Sequence, residues 1–432
     1  MLRFLMIILT GIITSLYFFP FIFKAFPLQN TKNILAAVGV VILLIQLSRK
    51  RGGFCNKDIV NLIFIATGVS LIGFFSVAIN ETPDYSYATY IISMCIWMSG
   101  AYVVTTVIRQ VHGECSFILL LNYLIGVCVV QCLLAIFIDN YIPLKILVDT
   151  NIEQGQDFLN KVERLYGIGA SLDVAGSRFA AVLAMLSFAL VRIKNTLYRN
   201  YIPIYIISFI IIAVIGNMIA RTTVVGLAMA IIYLLWNFFR GQENKQLWRW
   251  IVNILMISIP IMVFMYNNNT ETRNLFRFAF EGFFSLWEKG QWEVASNDKL
   301  MNVMVVFPDN LKTWLIGDGY FSSPRDTDPY FIGEIVGGYY MGTDIGYLRF
   351  IFYFGLIGLL SFMTYFCRVT QICIKNLKRY KVLFMSLLTI NFIVWFKVAT
   401  DIFLVFALFL MINSEEDERY NSQILLVNED SI

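Results

Sequence analysis

Charge is scarce in this sequence. Only 14% of its 432 residues are Asp, Glu, Lys or Arg, whereas a soluble chain carries about 25%. Histidine is scarcer still: His112 stands alone, which excludes a histidine-based catalyst elsewhere in the chain. No Cys/His cluster has metal-ligand spacing, and no phosphate-binding P-loop signature is present. The loops assigned below to the cytoplasm are too short to build a nucleotide-binding domain. Energy or an activated substrate must come from outside the chain, and no cofactor, metal or nucleic-acid partner is expected. The seven cysteines fall at 55, 95, 115, 128, 132, 367 and 373. None lies in the two long external segments, so no disulfide framework is expected, and Cys128 and Cys132 read as packing residues on one helix face. The first apolar run (2–23) lacks a small-residue cleavage site and reads as a retained helix rather than a signal peptide.

What is present is apolar surface, with 58% of residues hydrophobic and 16% aromatic. Apolar runs predict helices near 2–23, 33–48, 58–79, 87–108, 116–138, 174–191, 201–219, 222–239, 249–266, 345–367, 381–396 and 400–413. The expected fold is an all-α, polytopic membrane helix bundle with about 12 (11–12) transmembrane helices. Residues 380–413 form one run broken only by Lys397 and Asp401, and read either as two short spans or as one long one. Basic clusters at 48–57, 192–199, 240–249 and 368–381 separate alternate pairs of helices, while the loop at 80–84 is acidic. The positive-inside bias therefore puts both termini in the cytoplasm and segments 139–173 and 267–343 outside. Residues 1–413 form one transmembrane domain, and 414–432 a cytoplasmic tail whose acidic "SEEDER" reads as a solvated end.

The second external segment holds two features. In "ETRNLFRFAFEGFFSLWE" (271–288), Phe276, Phe280, Phe283, Phe284 and Trp287 share one helical face, and Arg273, Arg277, Glu281 and Glu288 another. That spacing predicts an amphipathic helix along the membrane surface, with simple capping of the bundle as the plain alternative. Beyond Pro308 the chain is rich in Gly, Asp and Tyr, which suits either sugar rings or an ordinary surface loop.

Candidate chemistry rests on arginines at the outer face: Arg164, Arg178, Arg221, Arg325 and Arg349. Arg221 falls between two helices with almost no connecting loop, so it sits at the headgroup boundary or below. A guanidinium there costs about 2.5–3.5 kcal/mol on insertion scales and marks a functional position by default; snorkelling to lipid phosphate is the plain alternative. Arg178 enters a helix at the same depth, and Arg349 stands one turn inside its own, close to Asp344. Lys397 and Asp401, four residues apart, read as a local pair. Several guanidiniums in one vestibule suit a ligand with two adjacent phosphates, each charge-assisted bond contributing about 1.5–3 kcal/mol. A lipid-linked diphosphate sugar is such a ligand, already activated by its leaving group. Arginines would stabilise the departing charge, and Asp344 would take the proton of an acceptor hydroxyl.

Four segments carry a resemblance. "RLYG" (164–167), "ARTTVVGLAMAI" (220–231), "WLIGDGYF" (314–321) and "DIGYLRFIFYFGLIG" (344–358) together resemble the O-antigen polymerase (Wzy-type) family of the O-antigen ligase and polymerase superfamily, although Ala220 replaces the family's usual Ser. The resemblance implies a glycosyltransferase in the bacterial cytoplasmic (inner) membrane. It would transfer a growing glycan from undecaprenyl diphosphate to the non-reducing end of a lipid-linked repeat unit at the outer face. Arg164 and Arg221 fall on the family's functional arginines and Asp344 on its acidic loop-end position; Arg178 and Arg349 match less clearly. Implied partners are the undecaprenyl-diphosphate-linked oligosaccharide, membrane lipid, and a chain-length regulator and flippase of the same pathway. The related ligases use a histidine in the large external loop, and its absence here favours polymerase over ligase.

A flippase or secondary transporter is the rival from another class. Transporters place charges near the bilayer midplane within two related halves. Here the charges crowd the outer rim, one external loop exceeds seventy residues and the halves look unrelated. A structural scaffold for export gives no reason for intramembrane arginines.

Overall fold

The computed structural model describes residues 2–27, 29–48, 57–161, 164–192, 201–240, 245–324, 328, 331 and 338–419. A helix lies over each of the twelve apolar runs. In chain order they are α1 (Leu2–Phe18), α2 (Thr31–Ser48), α3 (Lys57–Asn80), α4 (Tyr90–His112), α5 (Phe117–Asn140), then two short pieces, α6 (Ile142–Asn151) and α7 (Gln156–Lys161). There follow α8 (Leu172–Arg192), α9 (Ile202–Ile219), α10 (Thr223–Phe239), α11 (Lys245–Asn268), α12 (Thr270–Ala279), α13 (Glu281–Lys289), α14 (Ala295–Lys299) and α15 (Leu311–Leu315). Last come α16 (Gly346–Asn376), α17 (Lys381–Val394) and α18 (Phe403–Leu410). A two-residue ribbon, Ile22–Phe23 against Ile152–Glu153, is the one named sheet among the described residues. The architecture is all-α.

Seven of these helices are long and apolar enough to cross a membrane. Their outward faces agree with that solvent. On α11 alone Met256, Ile257, Ile259, Ile261, Val263 and Phe264 are exposed, a continuous apolar surface that water would not tolerate.

α8 is the hub, buried at every residue from Ala175 to Leu190. Its Ala, Gly and Ser positions let neighbouring helices approach closely, the packing mode favoured in lipid. Gly176 shows the consequence, because a Cβ there would fall on Thr222 Oγ1. The α9–α10 corner is thereby seated directly against the start of α8, bringing Arg221 beside Asp173.

α16 is broken at Phe354 and Gly355, the latter at φ +69°, ψ −173°. The break frees two carbonyls, and the 317–319 loop satisfies both: Asp318 N donates to Phe352 O (2.6 Å) and Gly319 N to Tyr353 O (3.1 Å). The tyrosine-rich segment is thus partly built into the bundle, and Tyr320 stacks on Tyr340.

One open alternative is resolved and three expectations are corrected. Residues 380–413 form two arms, not one helix, and at 1.5 Å per residue they are only about 21 and 12 Å long, short of a bilayer core of about 30 Å. They make a hairpin with its tip at 395–402, tied by Trp395 Nε1 to Thr400 O and by Ile402 N to Asn391 Oδ1. Secondly, the amphipathic helix at 271–288 is two helices with a break at Phe280, where φ/ψ is −121°/30°. Thirdly, the acidic tail is not a solvated end. Asp417 is buried and accepts from Phe117 N at 2.8 Å, capping α5, while Glu416 pairs with Arg109 at 2.9 Å. Finally, Lys397 and Asp401 do not pair with each other. Lys397 binds Asp173 at 3.0 Å, and Asp401 caps α18 through Phe403 N at 2.8 Å.

Candidate functional site

Arg221 sits in the tight corner between α9 and α10, where Ala220 is extended and Thr223 Oγ1 donates to Gly216 O. Its guanidinium reaches away from the bundle toward the broken surface helix. Nη1 lies 2.7 Å from Glu281 Oε2 and 3.0 Å from Ser296 Oγ, and the group stands 4.0 Å from the Phe278 ring centre. Arg164 approaches the same ring, at 5.1 Å. One aromatic face therefore gathers two guanidiniums, each of which it attracts through its quadrupole. Burial pulls the Arg221 guanidinium below its usual value; Glu281 raises it and the Arg164 charge lowers it further. The Nε atoms of Arg164 and Arg221 are both buried without an acceptor. Two like charges with unspent donors are electrostatically arranged for an anion.

The second corner holds Asp344 and Arg349. Arg349 is clamped between two rings, 3.7 Å from the centre of Phe321 and 4.5 Å from that of Tyr339, and donates from Nη2 to Phe321 O at 3.0 Å. Phe321 is itself fixed, since its N–H and that of Ser322 donate to Asp84 Oδ2 at 2.8 and 3.1 Å. Arg349 Nη1 faces Asp344 Oδ1 at 3.6 Å. Burial pushes the Asp344 carboxyl up to about 6; Arg349 lowers it, Asp173 raises it, and Lys397 and a hydrogen bond from Tyr339 lower it. A carboxyl in that range is suited to accept a proton near neutrality.

The Asp173–Lys397 pair lies between the two corners and acts on both: Asp344 feels each of its members, and Arg221 feels Asp173. Arg221 and Lys397 also line one cavity of about 230 Å³, together with Glu281, Ser296, Asn297 and Trp292. Pairwise interactions thus link Arg164 to Arg221 and, through Asp173 and Lys397, to Asp344 and Arg349, while of Arg164, Arg221, Asp344 and Arg349 only Arg221 lines the cavity. Arg178 lies apart. It is buried at 5% exposure among Phe19 (5.7 Å) and Trp97 (6.0 Å), with Lys32 over the same Trp97 ring at 5.3 Å and Asp401 within electrostatic reach. Arg325 lies outside the described residues.

Sequence reasoning missed Phe278, Asp173, Lys397, Lys32 and the clasp made by Asp84. Lys397 carried a signal, being a lone cation inside an apolar run, but its i,i+4 spacing to Asp401 masked it. Asp173 opens the helix that carries Arg178 and was legible as an acidic cap. Phe278 carried none, because helical spacing puts it on the side of the helix opposite the other aromatics. No protein-family model, no curated protein and no solved structure matches this chain. The fold and site together define an all-α polytopic bundle with helices apolar and long enough to cross a membrane, and with a charged basin around Arg221 and Asp344.

Proposed function

We propose that this chain is a membrane glycosyltransferase of the O-antigen polymerase type, which moves a glycan from a polyprenyl diphosphate carrier onto a lipid-linked repeat unit. The observation that carries the reading is the convergence of Arg164 and Arg221 on Phe278, with both Nε donors unspent. These guanidiniums would take the two phosphates and stabilise the charge that gathers as the sugar departs. The acceptor oxygen bonds to the anomeric carbon while the bond from that carbon to the phosphate oxygen breaks. Its electron pair leaves on the diphosphate, and the hydroxyl proton passes to Asp344. Arg349, clamped by Phe321 and Tyr339, orients Asp344.

The basin faces the outside of the bacterial cytoplasmic membrane, with both termini within. Ten crossings, the seven long apolar helices together with the shorter apolar α1, α2 and α10, preserve that arrangement if the α17–α18 hairpin enters from the cytoplasm and returns. Its charged tip then floors a wet vestibule, the setting in which irregular backbone is tolerated at membrane depth.

Purified protein given a defined lipid-diphosphate repeat unit should build a ladder of longer glycans on a gel. Arg221→Ala should leave single units unjoined, with protein level unchanged. A normal ladder from that variant removes Arg221 from the chemistry, and no ladder from the wild type removes the polymerase reading.

A further inference from the structure

The cavity beneath the surface helices contains two cations, and each faces a carboxylate: Arg221 faces Glu281 at 2.7 Å and Lys397 faces Asp173 at 3.0 Å. The first pairing is close but incomplete. Glu281 Oε2 is buried without accepting a well-formed hydrogen bond, and Arg221 Nε is buried without an acceptor. The two carboxylates also differ in mounting. Asp173 opens α8, which is buried throughout from Ala175 to Leu190, whereas Glu281 opens a short surface helix, α13, beside the Phe280 break; their side chains are 21% and 31% exposed. Lys397 lies at the hairpin tip, next to buried Val394, Trp395 and Val398. An ammonium is costly in such surroundings unless it binds something. With three donors it can keep Asp173 and still offer one to a ligand.

We infer that this cavity seats a diphosphate group between Arg221 and Lys397, and that Glu281 occupies the anion's place on Arg221 until the ligand displaces it. The inference rests on the donor chemistry proposed above and adds Lys397 as a third cation beside Arg221 and Arg164, together with a carboxylate that competes with the ligand. Displacement is local: Glu281 moves with a short surface helix, while Asp173 and the core stay in place. The aromatic wall, Phe283 and Trp292, stands at the exposed side of the same cavity, where the group attached to the diphosphate would emerge.

The test is calorimetric titration of the purified full-length chain in detergent with inorganic pyrophosphate and, separately, with farnesyl diphosphate. Lys397→Ala should weaken binding about tenfold, the worth of one charge-assisted hydrogen bond. Glu281→Gln should tighten it by a similar factor, because it removes the competing charge and keeps the side chain's size. Undiminished affinity in Lys397→Ala, or unchanged or weaker affinity in Glu281→Gln, overturns the inference. If Lys397→Ala elutes as aggregate, Glu281→Gln decides alone, since misfolding cannot strengthen binding. Tighter binding of the prenyl compound supports a lipid-borne diphosphate, and equal affinities support a soluble one. The two readings separate cleanly. This variant pattern without a glycan ladder retains the seat and discards the polymerase; a ladder without the pattern does the reverse.

Discussion

Arg164 and Arg221 share one ring yet differ in support. Arg221 has Glu281 and Ser296 as partners, whereas Arg164 lies against Phe278 with its Nε unbonded. A lysine at 164 keeps the charge but loses the planar fork and its stacking on the ring. Arg164→Lys should therefore recover less than about a tenth of wild-type ladder formation, the loss expected for one bidentate contact; full recovery would mean that charge alone is needed. Asp344 makes a pH-dependent prediction. Its carboxyl titrates near 6 in the folded chain, so ladder formation should rise through that value and be about tenfold slower at pH 5 than at pH 7. The stability effect has the opposite sign. A carboxyl raised by burial stabilises the fold while protonated and loses that contribution as pH climbs from about 4 through about 6. Asp344→Asn should thus melt above the wild type at pH 8, by on the order of 1–3 kcal/mol, and lose that advantage near pH 4. An advantage that persists at pH 4 would mean that the carboxyl is not the cause.

At the level of elements, two breaks shape the site. Gly355 at φ +69° lets α16 turn so that its freed carbonyls bind the 317–319 loop, and a Cβ there would collide with the Leu315 carbonyl. Gly355→Ala should cost at least about 1–3 kcal/mol, the range for a residue held in a disfavoured backbone region, and should be read as a lowered melting temperature with weaker anchoring of Phe321. Unchanged melting would show that α16 can straighten. The break at Phe280 does for the surface helix what Gly355 does for α16, turning a polar-face residue, Glu281, onto Arg221. Helical periodicity revealed the amphipathic pattern of 271–288, but periodicity assumes a continuous helix and so put Glu281 on the outer surface. The same limit applied to 380–413, where hydropathy registered one apolar run. The turn at 395–402 depends on bonds such as Ile402 N to Asn391 Oδ1, which join residues eleven positions apart.

At the scale of the whole molecule, orientation is the property most open to direct test. Cysteines introduced at Glu153 and Gln291, both exposed positions in the segments proposed to lie outside, should react with an impermeant maleimide added to intact cells; reaction only after permeabilisation would invert the topology. Class and helix positions were legible because lipid solvation demands long apolar runs, a one-dimensional property that survives in the linear chain. Arg221 and Arg349 were legible for the same reason, as charges where hydrocarbon should exclude them. Partners were not. The i,i+4 rule joined Lys397 to Asp401, while packing of the hairpin against α8 joined it to Asp173, 224 positions away. Likewise Arg178, similar to Arg221 in sequence context, was separated from it because α8 carries its side chain into the bundle toward Phe19 and Trp97. The sequence by itself determined a membrane-embedded helical protein and which of its charges would be expensive to bury. Only the tertiary structure decided which of those charges face one another, because helices packed by small residues set distances between positions that no local pattern connects.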